Sequence, residues 1–184
     1  YSGALGDTTT TSRYVPTAVQ NYDTFVKLSL GADHSCATKS NGSLWCWGAN
    51  SAGQLGDGTT TNATSPVLVS GLSTVSSFAA GISHTCAVDA DGRAACWGSA
   101  ESGKVGDGFD SVRPTPIKVV ATATFTSVTA GGWHTGGQTA AGATHCWGWN
   151  AKGQLGDGTT IVRAAPVTVS RSEEHTSELQ SPMY

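Results

Sequence analysis

Residues 46–59 have the sequence CWGANSAGQLGDGT, and residues 146–159 have the sequence CWGWNAKGQLGDGT. A more divergent copy, CWGSAESGKVGDGF, lies midway between them at residues 96–109. A motif that recurs at a constant interval indicates a repeat architecture, in which each repeat forms one supersecondary unit. The interval predicts a chain built from units of 50 residues.

The same interval separates many other residues, and no insertion interrupts it. Residues 1–170 hold about three and a third units and are predicted to form one array. The recurring positions are a proline, a glycine, a histidine, a cysteine and a second glycine: Pro16, Pro66, Pro116 and Pro166; Gly31, Gly81 and Gly131; His34, His84 and His134; Cys46, Cys96 and Cys146; and Gly56, Gly106 and Gly156.

Each unit is predicted to contain four short strands. In the second unit they begin near Pro66, Val75, Ser83 and Ala94, where small, apolar and β-branched residues dominate and no helical period is present. Proline at the first position of a strand removes no ladder hydrogen bond. Asp91 and the glycine after it predict a hairpin turn between the last two strands. Four antiparallel strands in every repeat of this length are typical of a β-propeller blade.

The repeated residues resemble the regulator of chromosome condensation repeat. Its pattern is a glycine, then His-Thr or His-Ser, a glycine turn, Trp-Gly-x-Asn and Gly-Gln-Leu-Gly-x-Gly. GADHSCATKSNGSLWCWGANSAGQLGDGT, which begins at Gly31, follows this pattern, and the resemblance extends over residues 1–170. WD repeats would need Gly-His and Trp-Asp pairs, which this chain lacks.

The resemblance implies an all-β protein that forms part of a propeller. Propellers of this family usually have about seven blades, and these would need about 350 residues at this period. We therefore expect about three four-stranded antiparallel blades in an open arc. Tryptophan and aliphatic side chains should line its two bare faces, and the strand at Pro166 should lack the rest of its blade.

The Trp-Gly pairs and the glycine-rich stretches are interpreted as scaffold. Trp47, Trp97 and Trp147 supply large apolar surfaces for packing between blades. Gly56, Gly106 and Gly156 permit backbone angles that other residues resist. His34, His84 and His134 are expected to form hydrogen bonds between strands or blades. A phosphate-binding loop is the less favoured alternative, because no helix pattern and no Gly-Lys-Ser/Thr follow.

The cysteines predict two hairpin disulfides. Cys36 and Cys46 are equidistant from Asn41, and positions equidistant from a hairpin turn face each other. Cα atoms of such pairs lie within disulfide range. Cys86 and Cys96 have the same spacing, whereas Gly136 replaces the partner of Cys146 and leaves a free thiol. Two disulfides indicate an oxidising compartment, and the alternative is five buried thiols in a cytosolic protein.

Neither a metal site nor an active site is expected. His34, Cys36 and Cys46 are zinc-type ligands on one hairpin, but no fourth ligand recurs and the third unit lacks one of the cysteines. The recurring aspartates, of which Asp57 is one, are interpreted as turn residues. No Gly-x-Ser-x-Gly motif is present. We expect a protein that is not an enzyme and has no cofactor.

Positions at which the units differ are candidates for contact with a partner. Trp45 corresponds to Ala95 and to His145, Phe109 corresponds to Thr59, and Trp133 corresponds to Asp33. Asn50 and Asn150 likewise correspond to Ala100. The candidate contact residues are therefore Trp45, Phe109, Trp133 and His145. The alternative is sequence drift on solvated loops.

Residues 171–184, RSEEHTSELQSPMY, depart from the repeat and contain no glycine. They resemble the in-frame translation of a common sequencing adapter and are interpreted as an adapter-derived or disordered tail, with a natural polar tail as the alternative. The chain has 10 basic and 13 acidic residues; without this segment it has 9 and 10, a net charge of −1. This charge predicts no nucleic-acid partner, and no apolar run is long enough for membrane insertion.

Members of the family act mostly as interaction platforms. The founding member is a guanine-nucleotide exchange factor for a small GTPase, and a bacterial relative inhibits β-lactamases. The paired cysteines and low charge most resemble secreted bacterial proteins with Cys-Trp-Gly repeats. The expected function is a non-catalytic scaffold, extracellular or at the cell surface, that binds a protein or a surface glycan. The alternatives are an exchange-factor-like regulator in the cytoplasm or nucleus and, less favoured, an enzyme inhibitor.

Overall fold

The structure is a computed structural model that describes residues 2–20 and 24–170. Within these ranges the fold is all-β, with three sheets of four antiparallel strands, each in chain order. The first sheet contains β1 (Phe25–Leu30), β2 (His34–Lys39), β3 (Leu44–Gly48) and β4 (Ala63–Leu68); the second contains β5 (Val75–Ala80), β6 (His84–Asp89), β7 (Ala94–Gly98) and β8 (Arg113–Lys118); the third contains β9 (Ser127–Ala130), β10 (His134–Gln138), β11 (Thr144–Gly148) and β12 (Arg163–Thr168). One 3₁₀ turn, Glu101–Gly103, follows β7.

The three sheets pack face to face in the order of the chain. Strands β1 and β2 contact β5, and strands β5 and β6 contact β9. The first and third sheets therefore share no such interface, and the blades form an open arc. The predicted fold class, a partial propeller of three four-stranded blades, is confirmed.

The predicted grouping of the strands into blades was wrong for the proline-containing strand. β4 holds Pro66 at its fourth position and pairs with β3, so it is the last strand of the first sheet. β12, which holds Pro166, likewise pairs with β11 and completes the third sheet, so it is not a lone strand. These are outer strands with one unpaired edge, where a proline is tolerated because its missing N–H faces solvent.

Two apolar clusters fill the spaces between the sheets. The first joins Cys36, Cys46 and Leu44 of the first sheet to Trp97 of the second. The second joins the corresponding side of the second sheet to Trp147 of the third. Both tryptophans are completely buried, so each contributes its whole indole surface to the interface with the preceding blade.

A glycine contacts each of these tryptophans where a side chain would collide with the ring. A Cβ at Gly56 would lie 2.5 Å from Nε1 of Trp97, and a Cβ at Gly106 would lie 2.7 Å from Nε1 of Trp147. Both glycines also have positive φ angles, 72° and 76°. Glycine is therefore required at both positions for two reasons: a side chain would collide with the indole ring, and the backbone has a positive φ angle.

The two ends of the arc differ from expectation. Trp47 is only 2% exposed, because residues near Ala4 and Gly6 cover its ring. At the other end, the third sheet surrounds a cavity of about 250 Å³ with mainly small and polar residues, of which Thr144 and Cys146 are two. The expectation of tryptophan-lined faces at both ends was therefore wrong. The apolar surface that remains at the first blade includes Leu28 and Leu30 of β1, which are 59% and 66% exposed.

Candidate functional site

Two of the recurring histidines, His34 and His84, form hydrogen bonds between neighbouring blades. Nε2 of His34 lies 2.9 Å from Oγ1 of Thr85, and Nε2 of His84 lies 2.9 Å from Oγ1 of Thr135. Each threonine hydroxyl donates its single hydrogen to a backbone carbonyl, that of Gln54 in the case of Thr85, at 2.8 Å. Each hydroxyl oxygen must therefore accept a hydrogen bond, and the histidines donate it through Nε2–H.

Burial keeps these imidazoles neutral. It lowers the pKa of His34 to about 4, although the charge of Asp33 raises it slightly. Burial lowers the pKa of His84 further, to about 3, and the nearby charge of Lys104 adds to this effect. A neutral, hydrogen-bonded imidazole inside a blade interface serves the scaffold, because it has no access to a substrate.

The recurring tryptophans are also parts of the scaffold. Nε1 of Trp47 donates to the carbonyl of Ala4 at 2.9 Å, and Nε1 of Trp97 donates to that of Gln54 at 3.0 Å. Nε1 of Trp147 is buried without a hydrogen-bond partner among the described residues. The interface between the second and third blades therefore contains a buried indole N–H without a partner, whereas the indole N–H of Trp97, between the first and second blades, is bonded.

The recurring aspartates form turns, as the sequence predicts. Asp57 accepts a hydrogen bond from the amide of Thr59 at 2.9 Å. In the third unit, Thr159 and Arg163 donate to Asp157, which has its pKa lowered to about 2 chiefly by the threonine hydrogen bond. Such a carboxylate stays ionised near neutral pH and has no function as a general acid.

Asn50 and Asn150 were interpreted as positions of variation, but both are completely buried and belong to the scaffold. The side-chain oxygen of Asn50 accepts from the amide of Leu55 at 2.9 Å, and its Nδ2 donates to the carbonyl of Thr61 at 3.0 Å. Asn150 forms the corresponding bonds in the third unit. The recurrence of asparagine in two of the three units was the signal for this role.

The structure contains the disulfides Cys36–Cys46 and Cys86–Cys96, and Cys146 is a free thiol. Cys146 lies opposite Gly136 in the β10–β11 register. Its burial raises the pKa of the thiol. Within the described ranges no group of three or more His, Cys, Asp or Glu side chains is placed to hold a metal ion.

The four candidate contact residues do not form one site. Trp45 lies on β3, where Nζ of Lys39 is 4.6 Å from its ring centroid. His145 lies on β11 and makes an edge-on contact with the ring of Phe125. Phe109 is 64% exposed near Arg113. Of these four candidates, Trp133 lines a pocket, and the other residues that line this pocket also differ between the units.

Four residues line this pocket, which has a volume of about 280 Å³: Glu101, Ser102, Trp133 and Trp149. We call it the Trp133–Trp149 pocket. Glu101 and Ser102 belong to the 3₁₀ turn after β7 in the second blade. Trp133 immediately precedes β10, and Trp149 immediately follows β11, in the third blade. The pocket thus lies between loops of two neighbouring blades.

Both tryptophans occupy positions where the other units have small or polar residues. Trp133 corresponds to Asp33 and Ser83, and Trp149 corresponds to Ala49 and Ser99. Trp133 was identified as a candidate contact residue from the sequence, but Trp149 was not. The alignment of the three units contains the signal for it, a bulky aromatic residue in CWGWN where the others have CWGAN and CWGSA.

A buried lysine supports one side of the pocket. Lys104 is completely buried, and its Nζ lies 4.4 Å from the ring centroid of Trp133 without a hydrogen-bond partner among the described residues. Burial lowers the pKa of Lys104, and the charge of Glu101 opposes this shift. The cation–π contact places the ammonium over the indole ring, and the Trp133 residue is 41% exposed.

Local backbone geometry also holds the pocket in shape. The amide of Trp149 donates to the carbonyl of Trp133 at 2.9 Å, which fixes the two tryptophan-bearing loops relative to each other. Ser102 has a φ of 61°, in the left-handed region that a non-glycine residue rarely adopts. Such conformations cost free energy and concentrate at ligand-binding sites. The pocket can bind a small group, but its lining contains no acid–base pair.

Two family models, both of the regulator of chromosome condensation (RCC1) repeat, match the chain. One matches residues 41–88 and 141–179, and the other matches residues 25–54 and 75–104. No curated protein matches. No helix in the described part of the chain is long and apolar enough to cross a membrane.

Solved structures with the same fold include human WBSCR16, with a TM-score of 0.78 and 23% identity; the match covers 92% of this chain and 45% of that one. Yeast RCC1 (Prp20), crystallised with Kap60 bound, has a TM-score of 0.72 and 24% identity over 80% of this chain and 37% of its own. The structure of Prp20p from Saccharomyces cerevisiae has a TM-score of 0.72 and 22% identity. The match covers 80% of this chain and 39% of that one. The chain thus spans less than half the length of these relatives.

Proposed function

Because the chain belongs to the regulator of chromosome condensation repeat family, we propose that it is a non-catalytic binding scaffold of a secreted or cell-surface propeller. Its partner is a protein or a surface glycan, and the contact is at the Trp133–Trp149 pocket. The repeat array is proposed to end near residue 170. The segment 171–184, which was interpreted as adapter-derived or disordered, lies outside the described residues.

One observation carries this proposal. The recurring residues described above form scaffold contacts in most of their copies, whereas the pocket gathers residues at which the units differ. Solvent-accessible tryptophans at a concave site are typical of binding surfaces, because a large rigid ring gives much contact area at low entropic cost. The scaffold does not need these side chains, since the first blade folds the same way with Asp33 and Ala49.

The extracellular location is supported by the two disulfides. Such bonds persist in oxidising compartments and are rare in the cytosol. Relatives support a binding function in general terms: yeast RCC1 is named as bound to Kap60, and Prp20p as binding Gsp1p and histones. An exchange-factor function for this chain would rest on the likeness of fold alone.

A binding array tests the proposal. The unreduced chain is applied to an array that carries both surface glycans and extracellular protein domains. We expect at least one ligand to be retained, and retained poorly by the double variant Trp133→Ala/Trp149→Ala. The matched control is Trp45→Ala, which removes a tryptophan outside the pocket. Equal retention by the double variant would exclude the pocket as the contact, and no retained ligand of either class would contradict the scaffold function.

A further inference from the structure

We propose that the Trp133–Trp149 pocket binds an uncharged sugar ring of a glycan. This inference rests on the proposed scaffold function and commits it to one class of ligand. Four properties of the pocket support it: its size, its combination of apolar and polar surface, its charges, and its rigidity.

The size of the pocket suits one compact group. Its volume of about 280 Å³ is slightly below the usual range for small-ligand sites, roughly 300–1,000 Å³. A ring with its substituents occupies such a space, whereas an extended peptide needs a groove that continues over several residues. Only four residues line the pocket, and they come from short loop segments at Glu101, Trp133 and Trp149. They form a compact depression and not a groove that could hold an extended peptide.

The pocket combines apolar faces with a polar edge. Trp133 and Trp149 offer indole surface, and Glu101 and Ser102 lie at the opposite loop. A sugar ring has the same division, because its C–H groups form an apolar face and its hydroxyls project around the edge. Stacking of the C–H face on an indole leaves the hydroxyls free to reach polar side chains.

The polar side chains favour a ligand that donates hydrogen bonds. The Glu101 carboxylate oxygens accept hydrogen bonds, and the Ser102 hydroxyl both donates and accepts. Sugar hydroxyls satisfy both groups. A proline-rich segment, the other usual guest of tryptophan-lined sites, has no N–H at its prolines and would leave the carboxylate without a donor.

The charges around the pocket favour an uncharged guest over an ionic one, because Lys104 and Glu101 have opposite signs and each repels one kind of ion. The Nζ of Lys104 lies 4.4 Å from the centroid of the Trp133 ring, so a quaternary ammonium or a methylated lysine would approach a like charge across that ring. An anionic guest would instead approach the exposed carboxylate of Glu101. An uncharged ligand meets neither repulsion.

The pocket is also ordered before any ligand arrives. Lys104 covers one face of Trp133, and the amide of Trp149 is bonded to the carbonyl of Trp133. Tryptophan side chains that are held in place lose little conformational entropy on binding, which matters for the small contact area of a single sugar ring.

Calorimetric titration with defined probes tests the inference. The neutral probes are cellotetraose, chitotetraose and mannotetraose; the comparison probes are decaproline, choline and tetragalacturonate. We expect at least one neutral oligosaccharide to saturate the chain, and none of the comparison probes to do so. Trp133→Ala and Trp149→Ala should each weaken that binding about tenfold or more, whereas Trp45→Ala should leave it unchanged.

Two further variants separate recognition from folding. Glu101→Gln keeps the shape of an exposed side chain and should weaken sugar binding severalfold, because a charged acceptor forms the stronger hydrogen bond. Trp133→Phe should retain part of the affinity. The melting temperature of each variant is measured alongside its binding, so that a variant that fails to fold is recognised as such.

The outcomes distinguish this inference from the broader proposal. Saturation by decaproline, choline or tetragalacturonate in place of the neutral probes would overturn the sugar assignment and leave the scaffold function standing. Sugar binding that is unaffected by both tryptophan variants, or no binding of any neutral probe, would also overturn it. The absence of any ligand on the array as well would remove both proposals.

Discussion

At the scale of the residue, buried histidine and threonine side chains join neighbouring blades. His34 and His84 each bond a threonine hydroxyl of the next blade, and each is neutral because burial lowers its pKa. Gly31 and Gly81 recur because these rings lie against them; a Cβ at Gly81 would be 2.4 Å from Cε1 of His84. The Gly-x-x-His spacing of the repeat thus has a steric cause.

The buried histidines predict a loss of stability in mild acid. Their folded pKa values, about 4 and about 3, lie below the unfolded value of about 6.5, so the unfolded chain binds protons first as the pH falls. The contribution of the two neutral histidines to the free energy of unfolding is fully present above about pH 6.5. It declines toward pH 4, by up to about 1.4 kcal/mol per pH unit for each histidine.

Urea unfolding at a series of pH values between 7.5 and 4.5 measures this decline. The variant His84→Gln should lose part of the slope, because it removes one of the two buried imidazoles. A free energy of unfolding that does not change over this interval would contradict the neutral, buried state of the two imidazoles.

At the scale of the element, the β2–β3 and β6–β7 hairpins are similar and the β10–β11 hairpin differs. Cys36 faces Cys46 and Cys86 faces Cys96, but Gly136 faces Cys146. The third hairpin also borders the cavity at the end of the arc. It is therefore the hairpin with the least covalent and packing support.

Peptide mapping of the unreduced chain should find Cys36 linked to Cys46 and Cys86 linked to Cys96. The physical reason is the register, which places each pair directly across a hairpin. Thiol titration should find about one free thiol, that of Cys146. A peptide that joins Cys46 to Cys96, or five titratable thiols, would contradict the pairing.

Gly136→Cys should form a third disulfide with Cys146 and stabilise the chain. A Cβ at Gly136 would lie 3.8 Å from Sγ of Cys146 and 3.0 Å from Oγ1 of Thr129, so the threonine has to shift slightly. A disulfide that closes a loop of this length stabilises the folded chain by roughly 2–3 kcal/mol. The measurement is the urea midpoint with and without reductant, with Gly136→Ser as the matched control; a midpoint that does not depend on reductant would refute it.

At the scale of the whole molecule, the three blades cover one another but leave the outer faces of the arc open. Trp97 and Trp147 are completely buried between blades, while Leu28 and Leu30 remain exposed at the first blade. Each unit of a repeat protein contacts only its neighbours, so terminal units carry the surfaces that have no cover.

The exposed leucines predict association in solution. Apolar patches of this kind are rare on monomers and favour contact between molecules. Sedimentation velocity should show a weight-average coefficient that rises with concentration, and Leu28→Lys/Leu30→Lys should suppress the rise. A compact monomer at all concentrations, with a cooperative melt, would show that the three blades suffice by themselves.

Deletion of residues 171–184 should leave the melting temperature unchanged. The proposed repeat array ends near residue 170, and the described core involves only residues before it. Thermal unfolding of the full and shortened chains measures this. A decrease of several degrees in the shortened chain would show that the segment belongs to the fold.

Several features were determined by the sequence itself because they depend on local rules. The 50-residue period, the strand alternation and the hairpin turns predicted three four-stranded blades. The distance of Cys36 and Cys46 from Asn41 was enough to predict their pairing, since side chains of a hairpin meet at equal distances from its turn. Trp133 was identified because it departs from the repeat.

Other features were decided only by the tertiary structure because they depend on contacts between units. The sequence does not show whether the strand at Pro66 pairs with β3 or with β5, since either neighbour satisfies its backbone. The cover on Trp47 and the meeting of Trp149 with Glu101 likewise require the packing of one segment on another. The repeat pattern is sufficient to predict each blade, because a blade depends on residues that recur in every unit. The pocket forms only where non-repeated residues of the second and third blades come into contact, and that contact depends on how the blades pack.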